Sequence, residues 1–339
     1  DTVGRRINEI RILDTQSGEF LDEVIGNAEG SLAWSADGEY LFYMDKHPQT
    51  LLGYRLMRHK RGSDSTEDVL VYEESDNTFY NSVGRSRSGD YIILRHGNTD
   101  TSELKYLAAD DPTGEFKVFL PRQAGHEYSV DHAGDTFYIR SNLDAVNFKV
   151  MTATLETASD PSQWKEIIPH REDAMVRNVV AFDNWLMISE RKDGLRQVRV
   201  MSHDGTVDRY LEANSAAYTM YPAGNPTTDT DTVRYGYTSM IEPRQTWEIN
   251  LNTGEKTLLK ETEVPGDFDS ANYLTIRTTI TARDGVQVPV SMAMHKDTPQ
   301  DGTAPAMIYA YGSYGSSQDP SFNNSSISLM DRGFIYVLA

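Results

Sequence analysis

Five times along this chain a short polar turn runs straight into an aromatic or β-branched stretch. The copies are Asp37-Gly38-Glu39-Tyr40-Leu41-Phe42-Tyr43, Ser88-Gly89-Asp90-Tyr91-Ile92-Ile93-Leu94, Ala133-Gly134-Asp135-Thr136-Phe137-Tyr138-Ile139, Asp183-Asn184-Trp185-Leu186-Met187-Ile188 and Asp231-Thr232-Val233-Arg234-Tyr235-Gly236-Tyr237. Counted from Glu39 through Asp90, Asp135, Asn184 and Thr232, the steps are 51, 45, 49 and 48 residues. A period of roughly 40–50 residues holding several short strands is the mark of a β-propeller, in which each unit is one radial blade.

The units divide into four strands each. In the third, the runs are 126–131, 136–141, 148–155 and 164–168; in the fourth they are 176–182, 185–190, 197–201 and 207–211. Asp193-Gly194, Asp204-Gly205 and Asn252-Thr253-Gly254 supply tight turns between strands. Upstream, residues 7–13 and 19–24 read as the last two strands of a further blade, so the expectation is five blades plus half of another. Pro265-Gly266-Asp267 marks the exit. Residues 274–282 and 286–295 then form a hairpin about Arg283-Asp284-Gly285. A buried strand at 306–311, a short helix at 326–330 and a second buried strand from Gly333 begin an α/β unit. The fold class expected is therefore mainly β: residues 1–274 form an incomplete propeller and residues 275–339 start an α/β domain. A sheet that stops on its most buried strand, and a propeller short of strands, lead us to expect a chain truncated at both ends.

Composition narrows the function. Net charge is −19, with acids spread along the chain, which argues against nucleic acid because phosphate binding needs a basic face. The acidity serves solubility or draws cationic substrates into a cavity. No run of about 18 apolar residues exists, so no membrane span is expected. Residues 1–7 have no leader character. The absence of cysteine excludes disulfides and thiolate chemistry and fits a reducing compartment, so a cytoplasmic location is expected, with the periplasm left open.

Few residue clusters suggest chemistry. There is no Gly-x-Ser-x-Gly nucleophile turn; Gly84-Arg85-Ser86-Arg87-Ser88-Gly89 has the wrong spacing and reads as a polar strand entering a turn. His126 and His132, six apart on one expected strand, share a face but lack a third metal ligand, and read as structural. Asp229 with Asp231, and Glu73-Glu74 with Asp76, read as solvated turns. The stretch that stands out is Ala306-Met307-Ile308-Tyr309-Ala310-Tyr311-Gly312-Ser313-Tyr314-Gly315. It is a strand delivering a glycine and tyrosine loop to a sheet's carboxyl edge, where α/β folds keep their sites.

In sequence order, Arg283-Asp284-Gly285-Val286-x-Val288-Pro289-Val290, Tyr309-x-Tyr311-Gly312-Ser313-Tyr314-Gly315 and Leu329-Met330-Asp331-Arg332-Gly333-Phe334 follow a propeller. With Lys46-His47-Pro48-x-Thr50-Leu51-Leu52, the segment from His126 to His132, and Thr262-Glu263-Val264-Pro265-Gly266, the pattern resembles the prolyl oligopeptidase family of serine peptidases, in its oligopeptidase B (protease II) branch. The resemblance implies a seven-bladed propeller capping an α/β-hydrolase domain and restricting entry to short peptides. It implies hydrolysis after Arg or Lys, short basic peptides as substrates, and neither cofactor nor metal; oligomeric state stays open. By position, Tyr311 matches an oxyanion-hole tyrosine, Tyr314 an aromatic lining the primary specificity pocket, and Asp319 the first of two acids for basic side chains upstream of the scissile bond. The second acid falls on Ser321, a departure that bears on dibasic preference. The triad serine, aspartate and histidine, and the acid for the P1 side chain, are placed by the resemblance beyond Ala339. Two alternatives remain: a non-catalytic binding propeller, and a relative with prolyl or acyl-aminoacyl specificity. The 339-residue chain alone is expected to leave an arginyl reporter peptide intact; turnover by the purified chain would overturn this.

Overall fold

A computed structural model describes Asp1 and residues 4–339; positions 2 and 3, inside the stretch read above for leader character, lie outside the described residues. The chain divides into two compact units, Asp1–Pro169 and His170–Ala339. Among the described residues no helix is long and apolar enough to cross a membrane.

The first unit holds three antiparallel sheets. The first runs β1 (Asn8–Leu13), β2 (Phe20–Trp34), β3 (Tyr40–Lys46), β4 (Gly53–Lys60) and β5 (Val69–Glu73), in that order. The second runs β6 (Tyr80–Arg85), β7 (Tyr91–Gly97), β8 (Ser102–Ala108) and β9 (Lys117–Leu120). The third runs β10 (Tyr128–Ala133), β11 (Thr136–Ser141), β12 (Lys149–Ala153) and β13 (Lys165–Ile168). The repeated turns enter β3, β7 and β11 through Gly38, Gly89 and Gly134, all at positive φ, which costs a residue without Cβ little. Neighbouring sheets cover these second strands, on both faces in the case of β7, whose Ile92 and Leu94 meet the preceding sheet and Ile93 the following one. Phe42, Met44 and Leu56 pack with Val83, Ile92 and Leu94 of the next sheet. Ile93, Leu104 and Phe119 pack with Phe137, Ile139 and Met151 of the one after. Each such side chain, fully buried, contributes about 1.5–3 kcal/mol.

The half-blade differs from expectation in one respect. The strand anticipated at 19–24 is the start of a continuous 15-residue strand, β2. Its first part pairs β1 (Leu13 with Phe20) and its last part pairs β3 (Trp34 with Leu41), with a register shift between Ala28 and Leu32. Such an irregularity bends and twists a strand, so that one strand serves two sheet fragments.

In the second unit, β14 (Ala174–Ala181), β15 (Trp185–Lys192), β16 (Leu195–Ser202) and β17 (Asp208–Tyr210) form one four-stranded blade. β18 (Tyr218–Pro222), β19 (Thr232–Ser239), β20 (Gln245–Asn250) and β21 (Lys256–Glu261) form another. A single parallel pairing, Arg196 with Thr219, joins them, over a core that includes Phe182, Met187, Val200, Met220, Val233 and Ile249. After them come β22 (Tyr273–Thr281), β23 (Gln287–His295), β24 (Ala306–Tyr309), α1 (Asn324–Met330) and β25 (Ile335–Leu338). Their sheet has the order β22-β23-β25-β24, with β24 and β25 parallel. The Asn323 side chain caps α1 by accepting from the Ser325 N–H. Ile327, Met330 and Leu338 pack with Ala217 and Met240, tying this sheet to the preceding blade.

The strand expected to be buried at 306–311 is shorter and exposed. β24 pairs only with β25, at the sheet edge, and Ile308 is 68% exposed. The apolar run matches what a covered strand needs, but the described residues do not cover it.

In β19, Gly236 lies opposite Tyr221, and a Cβ there would come within 2.3 Å of the Tyr221 ring. Gly236→Ala is therefore expected to destabilise the chain by about 1–3 kcal/mol through overpacking, read as a lower urea midpoint. An unchanged midpoint would remove the close approach as a packing constraint.

Candidate active site

At the carboxyl end of β24 the chain leaves the sheet through Ala310, Tyr311 and Gly312 and makes a single tight turn at Ser313–Gly315, closed by the Ser316 N–H donating to the Ser313 carbonyl. Tyr314 (φ 57°, ψ 32°) and Gly315 (φ 64°) are both left-handed. Glycine adopts this conformation freely, whereas a tyrosine pays about 1–2 kcal/mol there. Non-glycine residues held in this way concentrate at ligand-binding loops. The preceding blade holds the loop's far side. The Thr219 hydroxyl donates to the Pro320 carbonyl at 2.7 Å, and the Phe322 N–H donates to Thr238 Oγ1 at 3.2 Å.

Beside the loop is an open cleft of about 360 Å³, lined among others by Tyr311, Gly312, Arg191, Arg277, Pro289 and Ser291. Tyr311 is 47% exposed, and its hydroxyl has no hydrogen-bond partner among the described residues. A phenol so placed is free to donate to a ligand oxygen in the cleft. Tyr314 is 93% exposed and projects to solvent.

Asp319 has a different environment. Its carboxylate accepts from Arg191 Nη2 at 2.5 Å and lies 3.6 Å from Arg196 Nη1. Both arginines come from the blade: the Asp193–Gly194 turn between β15 and β16 sets Arg191 directly opposite Arg196. The Arg191 Nη1 also donates to the Gly194 carbonyl at 3.1 Å. The carboxylate that the family pattern assigns to substrate is thus engaged by the chain's own cations, and Ser321 beside it is exposed.

The structure therefore brings Tyr311 to the cleft, with Asp319 bound to an arginine that lines it, and leaves Tyr314 outside. His126 and His132 do not meet: His126 Nε2 bonds Ser141 Oγ at 2.8 Å, and His132 Nδ1 bonds Ser88 Oγ at 2.9 Å. His126 also precedes β10 rather than lying on it. Among the described residues no group of three or more His, Asp or Glu side chains could hold a metal. The arginines went unrecognised in the sequence, although a two-residue Asp-Gly turn already implies that Arg191 faces Arg196.

A family model for the prolyl oligopeptidase N-terminal β-propeller domain matches residues 1–262. Dipeptidyl aminopeptidase BI of Pseudoxanthomonas mexicana is 44% identical over 341 aligned residues, which cover 100% of this chain and 47% of the relative. Protease 2 of Moraxella lacunata is 32% identical, covering 97% of this chain and 47% of its own. Among solved structures, oligopeptidase B from Leishmania major superposes with a TM-score of 0.91 at 27% identity, over 99% of this chain and 48% of that one. The chain spans about half the length of the curated relatives it matches.

Asp319 offsets the charge of facing arginines in a partly buried setting. Asp319→Asn is expected to cost about 1–3 kcal/mol, the loss of a charge-assisted hydrogen bond plus unrelieved repulsion, measured by urea unfolding. A variant as stable as the parent would show that the pair contributes nothing to holding the loop.

Proposed function

Because the chain belongs to the prolyl oligopeptidase family of serine peptidases, we propose that the protein containing it is a serine oligopeptidase that hydrolyses short peptides on the carboxyl side of Arg or Lys. The observation that carries this reading is the placement of Tyr311: on the loop at the carboxyl end of a parallel strand, facing a cleft, with an unpartnered hydroxyl. In acyl transfer a serine attacks the scissile carbonyl and negative charge develops on the carbonyl oxygen. A phenolic O–H directed at that oxygen stabilises the transition state more than the ground state, which is what accelerates the step. Residues 1–274 act in this reading as the propeller that limits entry to short peptides, and residues 275–339 open the hydrolase domain that bears the loop. By the family pattern Tyr314 and Asp319 would contact substrate in the assembled enzyme, which requires Tyr314 to be covered by residues beyond this chain and Asp319 to exchange its arginines for substrate. On this reading the serine, aspartate and histidine of the triad lie outside residues 1–339.

A second reading has its own support. The relative at 44% identity is named a dipeptidyl aminopeptidase, and the replacement of the second acid by Ser321, with Asp319 already ion-paired, weakens the case for dibasic recognition. On that reading the enzyme releases dipeptides from a free amino terminus. Paired reporters settle the choice: an Ala-Arg reporter with a blocked amino terminus against the same reporter with a free one. An oligopeptidase cleaves both; a dipeptidyl peptidase cleaves only the free form.

In the full-length protein, Tyr311→Phe is expected to lower kcat by about 10²–10³ with little change in KM, the signature of a lost oxyanion donor. An unchanged kcat would remove Tyr311 from the chemistry.

A further inference from the structure

We propose that Arg177, Arg191, Arg196 and Arg277 form a carboxylate-binding subsite beside the Tyr311 cleft, which takes an acidic side chain or a free carboxyl terminus of a short peptide. Four strands supply the guanidinium groups. Arg191 on β15 and Arg196 on β16 are direct cross-strand partners, an arrangement that like charges normally disfavour. Arg177 sits at an irregularity in β14, where the register shifts between Val176 and Asn178. Bulges of this kind re-aim one side chain, commonly near a site. Arg177 lies within the field of Arg191, Arg196 and Asp319. Arg277 on β22 approaches from the other sheet, with Nη2 3.2 Å from where a Cβ on Gly194 would be.

The carboxylates in this group are too few to balance it. Asp319 is committed to Arg191 and Arg196, and Asp193 acts on Arg277 only through its field. Among the described residues neither Arg177 nor Arg277 forms an ion pair of its own. Burial and the neighbouring guanidiniums hold Arg177 below the usual arginine pKa, and burial does the same for Arg277. The Nε–H groups of Arg191 and Arg196 are buried without an acceptor. Two of these arginines, Arg191 and Arg277, line the cleft with Tyr311, so a chain of net charge −19 concentrates positive charge there. The planar forks of arginine match a carboxylate in two-point contact.

The test uses the full-length protein and calorimetric titration with three probes: acetyl-Glu-Ala-amide, acetyl-Gln-Ala with a free carboxyl terminus, and acetyl-Gln-Ala-amide. At least one carboxylate probe is expected to bind about tenfold or more tightly than the doubly neutral control, from one charge-assisted contact. Which of the two binds identifies the source of the carboxylate. Arg177→Gln and Arg277→Gln, which break no ion pair and so should fold, are each expected to remove most of that preference. Equal affinity for all three probes, or a preference that survives both substitutions, would overturn the proposal. Its use as a peptide subsite rests on the peptidase reading, but binding needs no turnover. A protein that binds a carboxylate probe yet cleaves no reporter sinks the peptidase reading alone; one that cleaves without the preference sinks the subsite alone.

Discussion

A four-stranded blade has two apolar faces and cannot satisfy both by itself. The Tyr40–Lys46, Tyr91–Gly97 and Thr136–Ser141 strands are largely buried, and adjoining sheets supply much of that cover, on both faces in the case of Tyr91–Gly97. That mutual dependence explains the period of the sequence. Each blade must present the same kind of second strand, entered through the same kind of turn, because each must fit against a neighbour built to the same plan. It also explains why β2 joins two sheet fragments without a break: continuity of cover matters more than the boundary between repeats.

The same dependence extends to the candidate site. β24 contributes the strand that leads into the Tyr311 loop, yet the descending side of that loop is held by the blade. Thr219 and Thr238 engage the backbone at Pro320 and Phe322, and Arg191 engages the Asp319 carboxylate. The loop therefore has two supports, one from each kind of sheet. Any shift of the blade strands relative to β24 would act on the geometry around Tyr311. A left-handed Tyr314 is tolerable in such a loop because the anchors on both sides restrict the alternatives.

What the sequence disclosed follows the range of the interactions involved. The blade strands and their turns were legible because their signals are local: a short polar or glycine turn and an aromatic or β-branched run within seven residues of it. The short helix was legible too, and its Asn323 cap only moved its start to Asn324. The exposure of β24 was not legible, since an apolar run reports what a strand is suited to rather than what covers it. Nor was the fate of Asp319, whose partner lies 128 residues away along the chain. Arg191 and Arg196 fall between these cases. Register across a two-residue turn places them face to face, but only the structure sets Arg277 of another sheet beside that turn at Gly194.

Charge at the site runs against the composition of the chain. Acidic residues outnumber basic ones by 51 to 32, and taken uniformly that excess serves solubility or suits a surface to cationic ligands. Around Asp319 the balance reverses, with one engaged carboxylate facing several guanidiniums. Net charge governs the approach of a ligand over distances up to about a Debye length, whereas the groups within a few ångströms decide what docks. An acidic exterior around a cationic recess is thus no contradiction. Long-range attraction and short-range docking are set by different groups, so one ligand can meet opposite charges at the two ranges.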